Sequence, residues 1–296
     1  MKAFGIVGDP GSSRMRTRTV LAILFLLLGV ALSDAAELKQ DTLQAWDAYV
    51  RTINLSVVDR GSGDRPFLWV DESPDLGRRV RAGEVLVASH DLRKVPHGLI
   101  HHWIGAMFIP NATLNEVTRV LDDYDRYADF YRPIVVKSKL VARTDDCDKV
   151  TILMTQRAFS VTAAVETDSE VRTVKLDSNR IYSLSRSIRV QEIANYGRQD
   201  EHLLLEGQGP GYVWRMLGMT RAEQRDGGVY LEMETIGLSR GIPLEFRWLI
   251  QPLTEKLPRN IMFEMLNDTG AAVRRETESS WGKNLRTAED SAVLRK

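Results

Sequence analysis

"GYVWRMLGMTRAEQRDGGVYLEMETIGL", Gly211 to Leu238, reads as two strands joined by one tight turn. Asp226, Gly227 and Gly228 are residue types that accept the positive φ angles of a two-residue hairpin turn. On the first arm the even positions are Tyr212, Trp214, Met216, Gly218, Thr220 and Ala222, while the odd ones include Arg215, Arg221, Glu223 and Arg225. On the return arm Val229, Leu231, Met233 and Thr235 alternate with Tyr230, Glu232 and Glu234. Strand side chains alternate between faces, and a two-residue turn pairs even positions with odd ones. The hairpin therefore predicts an antiparallel sheet with a dry face over a core or cavity and a wet face of Arg/Glu pairs.

The surrounding segments extend this pattern. From Ile134 to Gly237 the chain is almost all strand-like, as in "IVVKSKLVA", "KVTILMTQRAF", "SVTAAVET", "EVRTVKL" and "RIYSLSRSIRVQEI". Upstream, "HGLIHHWIGAMFIP" is β-rich and ends at Pro110. "TLNE" then supplies a capping box, Thr113 with Glu116, before a helical stripe of Leu114, Val117, Val120, Leu121 and Tyr124. That helical stretch closes at Pro133. After the hairpin, "LPRNIMFEMLNDTGAAVRRETES" places Ile261, Met262, Met265, Leu266 and Val273 on one helical face. Before it all, "DTLQAWDAYVRTI" reads as an amphipathic helix, and "RPFLWV" and "GEVLVAS" as short strands around a "DESPDLG" turn.

Four of the five histidines, His90, His97, His101 and His102, fall within thirteen residues. Strand alternation sends His101 and His102 to opposite faces, which argues against a shared metal ion. A single histidine entering a cavity would be a polar anchor or a general base. "GxSxG", "HExxH" and phosphate-binding glycine loops are missing from the sequence, and no catalytic residue or cofactor is assigned from it.

Lys plus Arg and Asp plus Glu both total 40, so no overall field favours nucleic acid. Arg14, Arg16 and Arg18 precede the apolar run Val20 to Leu32, followed by the small residues Ser33 and Ala35. The run is short of the roughly 20 residues of a spanning helix. It reads as a cleavable export signal over residues 1–35, with Met15 as a candidate start, a periplasmic or secreted product and no permanent span afterwards. Cys147, the single cysteine, sits among aspartates in "TDDCDKV", so no internal disulfide forms and a reactive thiolate is disfavoured.

The order strand, two short helices, long antiparallel run and long C-terminal helix resembles the START and polyketide-cyclase-like (SRPBCC) superfamily. More narrowly, the chain resembles bacterial START-like proteins, through "HGLIHHWIGAMFIPNATLNEV", "DDYDRYADFYRPIVVKSKL", "RDGGVYLEMETIGLSRGIP" and "WLIQPLTEKLPRNIMFEML". The resemblance implies an α+β helix-grip fold, with a curved antiparallel sheet wrapped around the last helix. It divides the chain into an extension over residues 36–95, a helix-grip domain over 96–280 and a tail over 281–296. It also implies a hydrophobic or lipid-like ligand held between sheet and final helix, for a carrier or sensor. A cyclase- or hydrolase-type enzyme using a cavity His or Arg is the alternative. The wall so implied is Trp103, Tyr212, Trp214, Met216, Leu231 and Met233, with Ile261, Met262 and Met265 as lid. His101, His102 and Arg240 are the candidate polar anchors, and protein partners stay unassigned.

Overall fold

A computed structural model of the chain describes residues 37–158, 161–241 and 256–278. The expected export signal, the tail and the linker ahead of the last helix lie outside the described residues. Among the described residues, α1 (Gln40–Ser62) is followed by a 3-10 turn (Trp69–Glu72), α2 (Pro74–Arg81), β1 (Leu86–Val95) and β2 (Gly98–Pro110). Next come α3 (Leu114–Asp122), a 3-10 turn (Tyr124–Arg126) and α4 (Tyr127–Phe130). The strands β3 (Val135–Arg143), β4 (Asp148–Ala158), β5 (Val161–Lys175), β6 (Arg180–Ala194), β7 (His202–Leu203), β8 (Arg215–Arg225) and β9 (Gly228–Arg240) follow. A last helix, α5, covers residues 256–278.

These nine strands form one antiparallel sheet in the order β1-β2-β9-β8-β6-β5-β4-β3, with the short β7 on β6. This is the helix-grip fold: β2 and β9, the ends of the gripping segment, pair with each other, and α5 lies in the concavity. The β8–β9 hairpin has the predicted register, with Ala222 opposite Leu231 and Arg221 opposite Glu232. Its turn residues Asp226 and Gly227 have φ angles of 53° and 78°, the left-handed pair that a tight hairpin requires. Gly228 is fixed by crowding instead, since a Cβ there would come within 2.4 Å of the Ile109 carbonyl oxygen on β2. The capping box is formed too: Glu116 N–H donates to Thr113 Oγ1 at 3.3 Å, and Thr113 N–H donates to Glu116 Oε2 at 2.8 Å.

On the concave face, Trp103, Met107 and Ile109 of β2 and Val229, Leu231 and Met233 of β9 form one core with Met262, Leu266 and Val273 of α5. Two glycines let this helix sit close. A Cβ on Gly105 would meet Leu266 Cδ1 at 2.8 Å, and one on Gly270 would meet Met107 Cε at 2.6 Å. Helices α3 and α4 seal one end through Val117, Val120, Phe130 and Tyr131, and Tyr131 Oη lies 3.0 Å from Thr269 Oγ1 of α5.

The convex face departs from the expectation of a wet surface. Helix α1 lays Trp46, Tyr49 and Val50 against Ile100, Leu217, Met219, Ile236 and Leu238. Phe67 and Leu68 ahead of the 3-10 turn, Val70 within it and Val80 of α2 pack against Ala106, Phe108 and Tyr230. The Arg/Glu alternation of the hairpin is thus covered: Arg221 is 2% exposed and Glu232 1%. Two local readings also change. "RPFLWV" carries a 3-10 turn rather than a strand, and "DESPDLG" runs into helix α2, which begins with Pro74 in its first turn. Proline suits that position because its missing N–H would be unpaired there anyway.

Candidate functional site

The concave face is packed where α5 crosses β2, and beside that crossing the described residues of the sheet are small. Across the β2–β9 ladder, His101 pairs with Gly237, Trp103 with Thr235 and Gly105 with Met233. Across β8–β9, Gly237 pairs with Met216, Thr235 with Gly218 and Met233 with Thr220. Gly218 in turn faces Ser185 on β6. A Cβ on Gly237 would meet nothing within 4 Å among the described residues, and one on Gly218 would meet only Ser185 Cβ, at 3.7 Å. Among the described residues, small side chains at alternate positions of three neighbouring strands therefore leave this part of the concave side uncovered. Sequence patterning drew attention to the large apolar residues and passed over Ser185, Gly218, Thr235 and Gly237. The signal lay in the small residues recurring every second position, Ser183, Ser185 and Ser187 on β6 and Thr235, Gly237 and Ser239 on β9.

On the same strand face two buried side-chain nitrogens lack partners. His101 Nε2 lies 3.0 Å from Ser239 Oγ, but His101 Nδ1 is sealed from solvent with no hydrogen bond. Trp103 Nε1 is likewise buried and unpaired. Burial pushes the His101 imidazole down to about 4, so it is neutral at pH 7. An orphaned buried polar atom is costly and uncommon, and here two of them lie two residues apart on one strand face.

The other sequence-predicted residues fall in three places. Leu231, Met233 and Met262 belong to the concave core, Met265 packs against it, and Ile261 is partly buried in the adjacent turn of α5. Trp214 joins the core beneath α1 with Trp46 and Leu238. Tyr212 lies in the loop preceding β8 and Arg240 at the end of β9; Arg240 Nη1 donates to the Pro210 carbonyl at 3.2 Å, and Glu192 accepts from the N–H groups of Gly211 and Val213, each at 3.2 Å. Burial raises the Glu192 carboxyl despite those backbone donors.

His102 points the opposite way from His101, into a buried network on the convex face. Tyr49 Oη lies 2.8 Å from His102 Nδ1, and His102 Nε2 lies 2.5 Å from Glu234 Oε1. Arg221 Nη1 donates to Glu234 Oε2 and to Glu232 Oε1, each at 2.8 Å, and Trp69 N–H donates to Glu232 Oε2 at 2.6 Å. The two carboxylates diverge. Burial lifts Glu232 to about 7 against the pull of Arg221. At Glu234 burial acts in the same direction, but the hydrogen bond from His102 and the Arg221 charge outweigh it and hold the carboxyl at about 2. His90 extends the cluster, its ring 4.5 Å from that of His102. Every charge here has a partner within the protein, and α1 and the 3-10 turn supply two of the contacts. The network is a clasp between the N-terminal extension and the sheet. Among the described residues no group of His, Cys, Asp and Glu could hold a metal ion. No helix among them is long and apolar enough to cross a membrane.

No protein-family model matches the chain, and no curated protein matches it. Solved structures do. A STAR-related lipid transfer protein from Xanthomonas axonopodis is similar at 17% identity and a TM-score of 0.42, over 62% of this chain and 98% of that one. The Zhui aromatase/cyclase from Streptomyces sp. R1128 is similar at 14% identity and a TM-score of 0.43, over 60% and 96%. Human StAR-related lipid transfer protein 5 is similar at 15% identity and a TM-score of 0.38, over 70% and 94%. These are similarities of fold.

Proposed function

We propose that this protein binds an apolar, lipid-like small molecule on the concave face of its sheet, beside α5, as a carrier or sensor. The observation that supports this reading is the row of small residues, Ser185, Gly218 and Gly237, across three neighbouring strands of the concave face, with no described side chain over Gly237. Apolar walls with a few aimed polar groups are the usual composition of a small-molecule site. Met216 and Met233 add adaptable side chains that suit ligands of variable shape. A catalytic role is less well supported. The imidazole at the site has a basicity near 4, poor for a general base at neutral pH, and the carboxylates of the clasp lie on the other face.

The test is direct. Native protein extracted with organic solvent should release a co-purifying apolar compound in mass spectrometry, and a fluorescent fatty acid or sterol should bind the emptied protein. Gly237→Leu puts a branched side chain over that row, and its φ is not in the left-handed region. It should weaken probe binding by at least about tenfold with the thermal midpoint little changed. Unaltered binding by a folded Gly237→Leu variant would overturn this site.

We also propose that the protein is exported. The support is the apolar run Val20 to Leu32 between arginines and small residues. The chain recovered from its native source should begin near Ala36 or Glu37 when its N-terminal peptide is sequenced by mass spectrometry. Recovery of peptides from the arginine-rich segment in the mature protein would refute it.

A further inference from the structure

The convex face carries an opening beside α1. A cleft of about 250 Å3 lies between this helix and the strands β5, β6 and β8, with Trp46, Asp47 and Val50 on the helix side and Glu170, Arg186 and Ile188 on the sheet side. Glu170 and Arg186 are direct partners across the β5–β6 ladder, and Arg186 is opposite Leu217 of the core beneath α1, so both charges stand on the convex face. Opposite charges facing each other across a ladder attract. Here the two stay apart: among the described residues the side chains of Glu170, Arg186 and Asp47 have no ion pair and no hydrogen bond. Arg215, the other guanidinium on the cleft, is already held, with its Nη1 2.9 Å from Glu206 Oε1 and donating to the Trp214 carbonyl at 2.7 Å. Ile188 is the extra residue of a bulge, between Ser187 paired with Ser169 and Arg189 paired with Asp168, and it lines the cleft while 49% exposed. A bulge re-aims a side chain out of the ladder, and this one sets an apolar surface beside the separated charges.

We propose that this cleft binds a small apolar α-amino acid, with its carboxylate on Arg186, its ammonium between Glu170 and Asp47, and its side chain against Ile188 and Val50. The site is on the opposite face from the lipid-like ligand proposed above and does not depend on it. In an α-amino acid the two charged groups share one carbon, so the molecule fits between a carboxylate and a guanidinium that stand apart and gives each a partner. A guanidinium matches a carboxylate through two parallel N–H bonds, and an ammonium has donors enough for two carboxylates. The volume limits the occupant, being below the roughly 300–1,000 Å3 of sites for drug-sized ligands. An anion without the ammonium meets Arg186 but is repelled by Glu170 and Asp47. An amine without the carboxylate leaves Arg186 unmet.

Phenylalanine, phenethylamine and 3-phenylpropanoate share one frame and differ in their charges. Each is titrated against the full protein at pH 7 and followed by ligand-observed NMR, which reads weak binding. Phenylalanine should bind at least about threefold tighter than either analogue, the size of one partly exposed ion pair. Arg186→Gln should bring phenylalanine down to the level of phenethylamine and leave phenethylamine as it was. Glu170→Gln should weaken phenylalanine and phenethylamine alike by about threefold, while 3-phenylpropanoate binds no more weakly than before. Arg186 is exposed and Glu170 half-buried, so neither change removes a core contact. The wild-type comparison decides the point even where a variant fails to fold. Absence of phenylalanine binding, an analogue that binds as tightly, or a preference that survives both variants would overturn the assignment.

Discussion

Replacing Arg221 by Met should lower the unfolding free energy by about 3–5 kcal/mol at pH 7, the usual result of removing one partner from a buried ionic cluster. Methionine keeps the aliphatic stem of the side chain, so most of the loss is electrostatic rather than packing. What remains is Glu232 and Glu234, almost fully buried, hydrogen-bonded to Trp69 N–H and to His102 and repelling each other. The loss should itself depend on pH, and its sign follows from the two carboxyls. Glu234 is held at about 2 against an ordinary 4.5, so its contribution is full above 4.5 and disappears as the pH falls toward 2. Glu232 is raised to about 7, so the folded protein loses stability relative to the unfolded chain as the pH climbs from 4.5 to 7. With Arg221 gone both carboxyls rise, and protonation relieves the repulsion. The penalty of Arg221→Met measured by urea unfolding should therefore be smaller at pH 5 than at pH 7. Glu232→Gln should flatten the wild-type decline between pH 4.5 and 7. A penalty under about 1 kcal/mol, or one that is flat with pH, would mean the cluster is solvated in solution.

The pairing of Arg221 with Glu232 was legible in the sequence, because turn chemistry and period-2 alternation together fix a hairpin's register. The face on which they sit was misread for a physical reason. Alternating Arg and Glu has the same pattern whether water or a distant helix covers it, and the cover here comes from Tyr49 and Trp69, more than 150 residues upstream of those carboxylates. The opposite orientations of His101 and His102 were legible from alternation alone, whereas which of them would be left with an unpaired nitrogen was not. That depends on Ser239 and Glu234, brought in by the β2–β9 ladder. The helix α2 was legible in principle, from Ser73, Pro74 and Asp75 at its start, but the glycine at Gly77 reads as a turn. The run of small residues around Gly237 was the hardest to see, since an absent side chain has no periodicity and its meaning comes from Gly218 and Ser185 on neighbouring strands.

Trp46→Ala should cost about 3–5 kcal/mol and lower the melting midpoint by roughly 10 °C in one cooperative transition. Trp46 is 4% exposed and packs with Ile100, Leu217, Ile236 and Leu238, residues of three central strands. It also borders a cleft of about 250 Å3 between α1 and the β5, β6 and β8 strands, which puts the expected cost near the lower end of that range, because water can enter part of the space left behind. The alternative is that residues 37–95 form an appendage that folds and melts by itself. Trp46→Ala would then produce a separate low-temperature step and leave the main transition in place. Two features argue for one unit. Strand β1 is hydrogen-bonded along β2 from Leu86 to Val95, so the extension supplies an edge of the sheet. Tyr49, one turn along α1 from Trp46, reaches the ring of His102, which is 0% exposed. An apolar helix face that also completes a buried polar network cannot leave without exposing both. The loss of Trp46 should accordingly be felt by the whole sheet, including the concave face on which the ligand site is proposed.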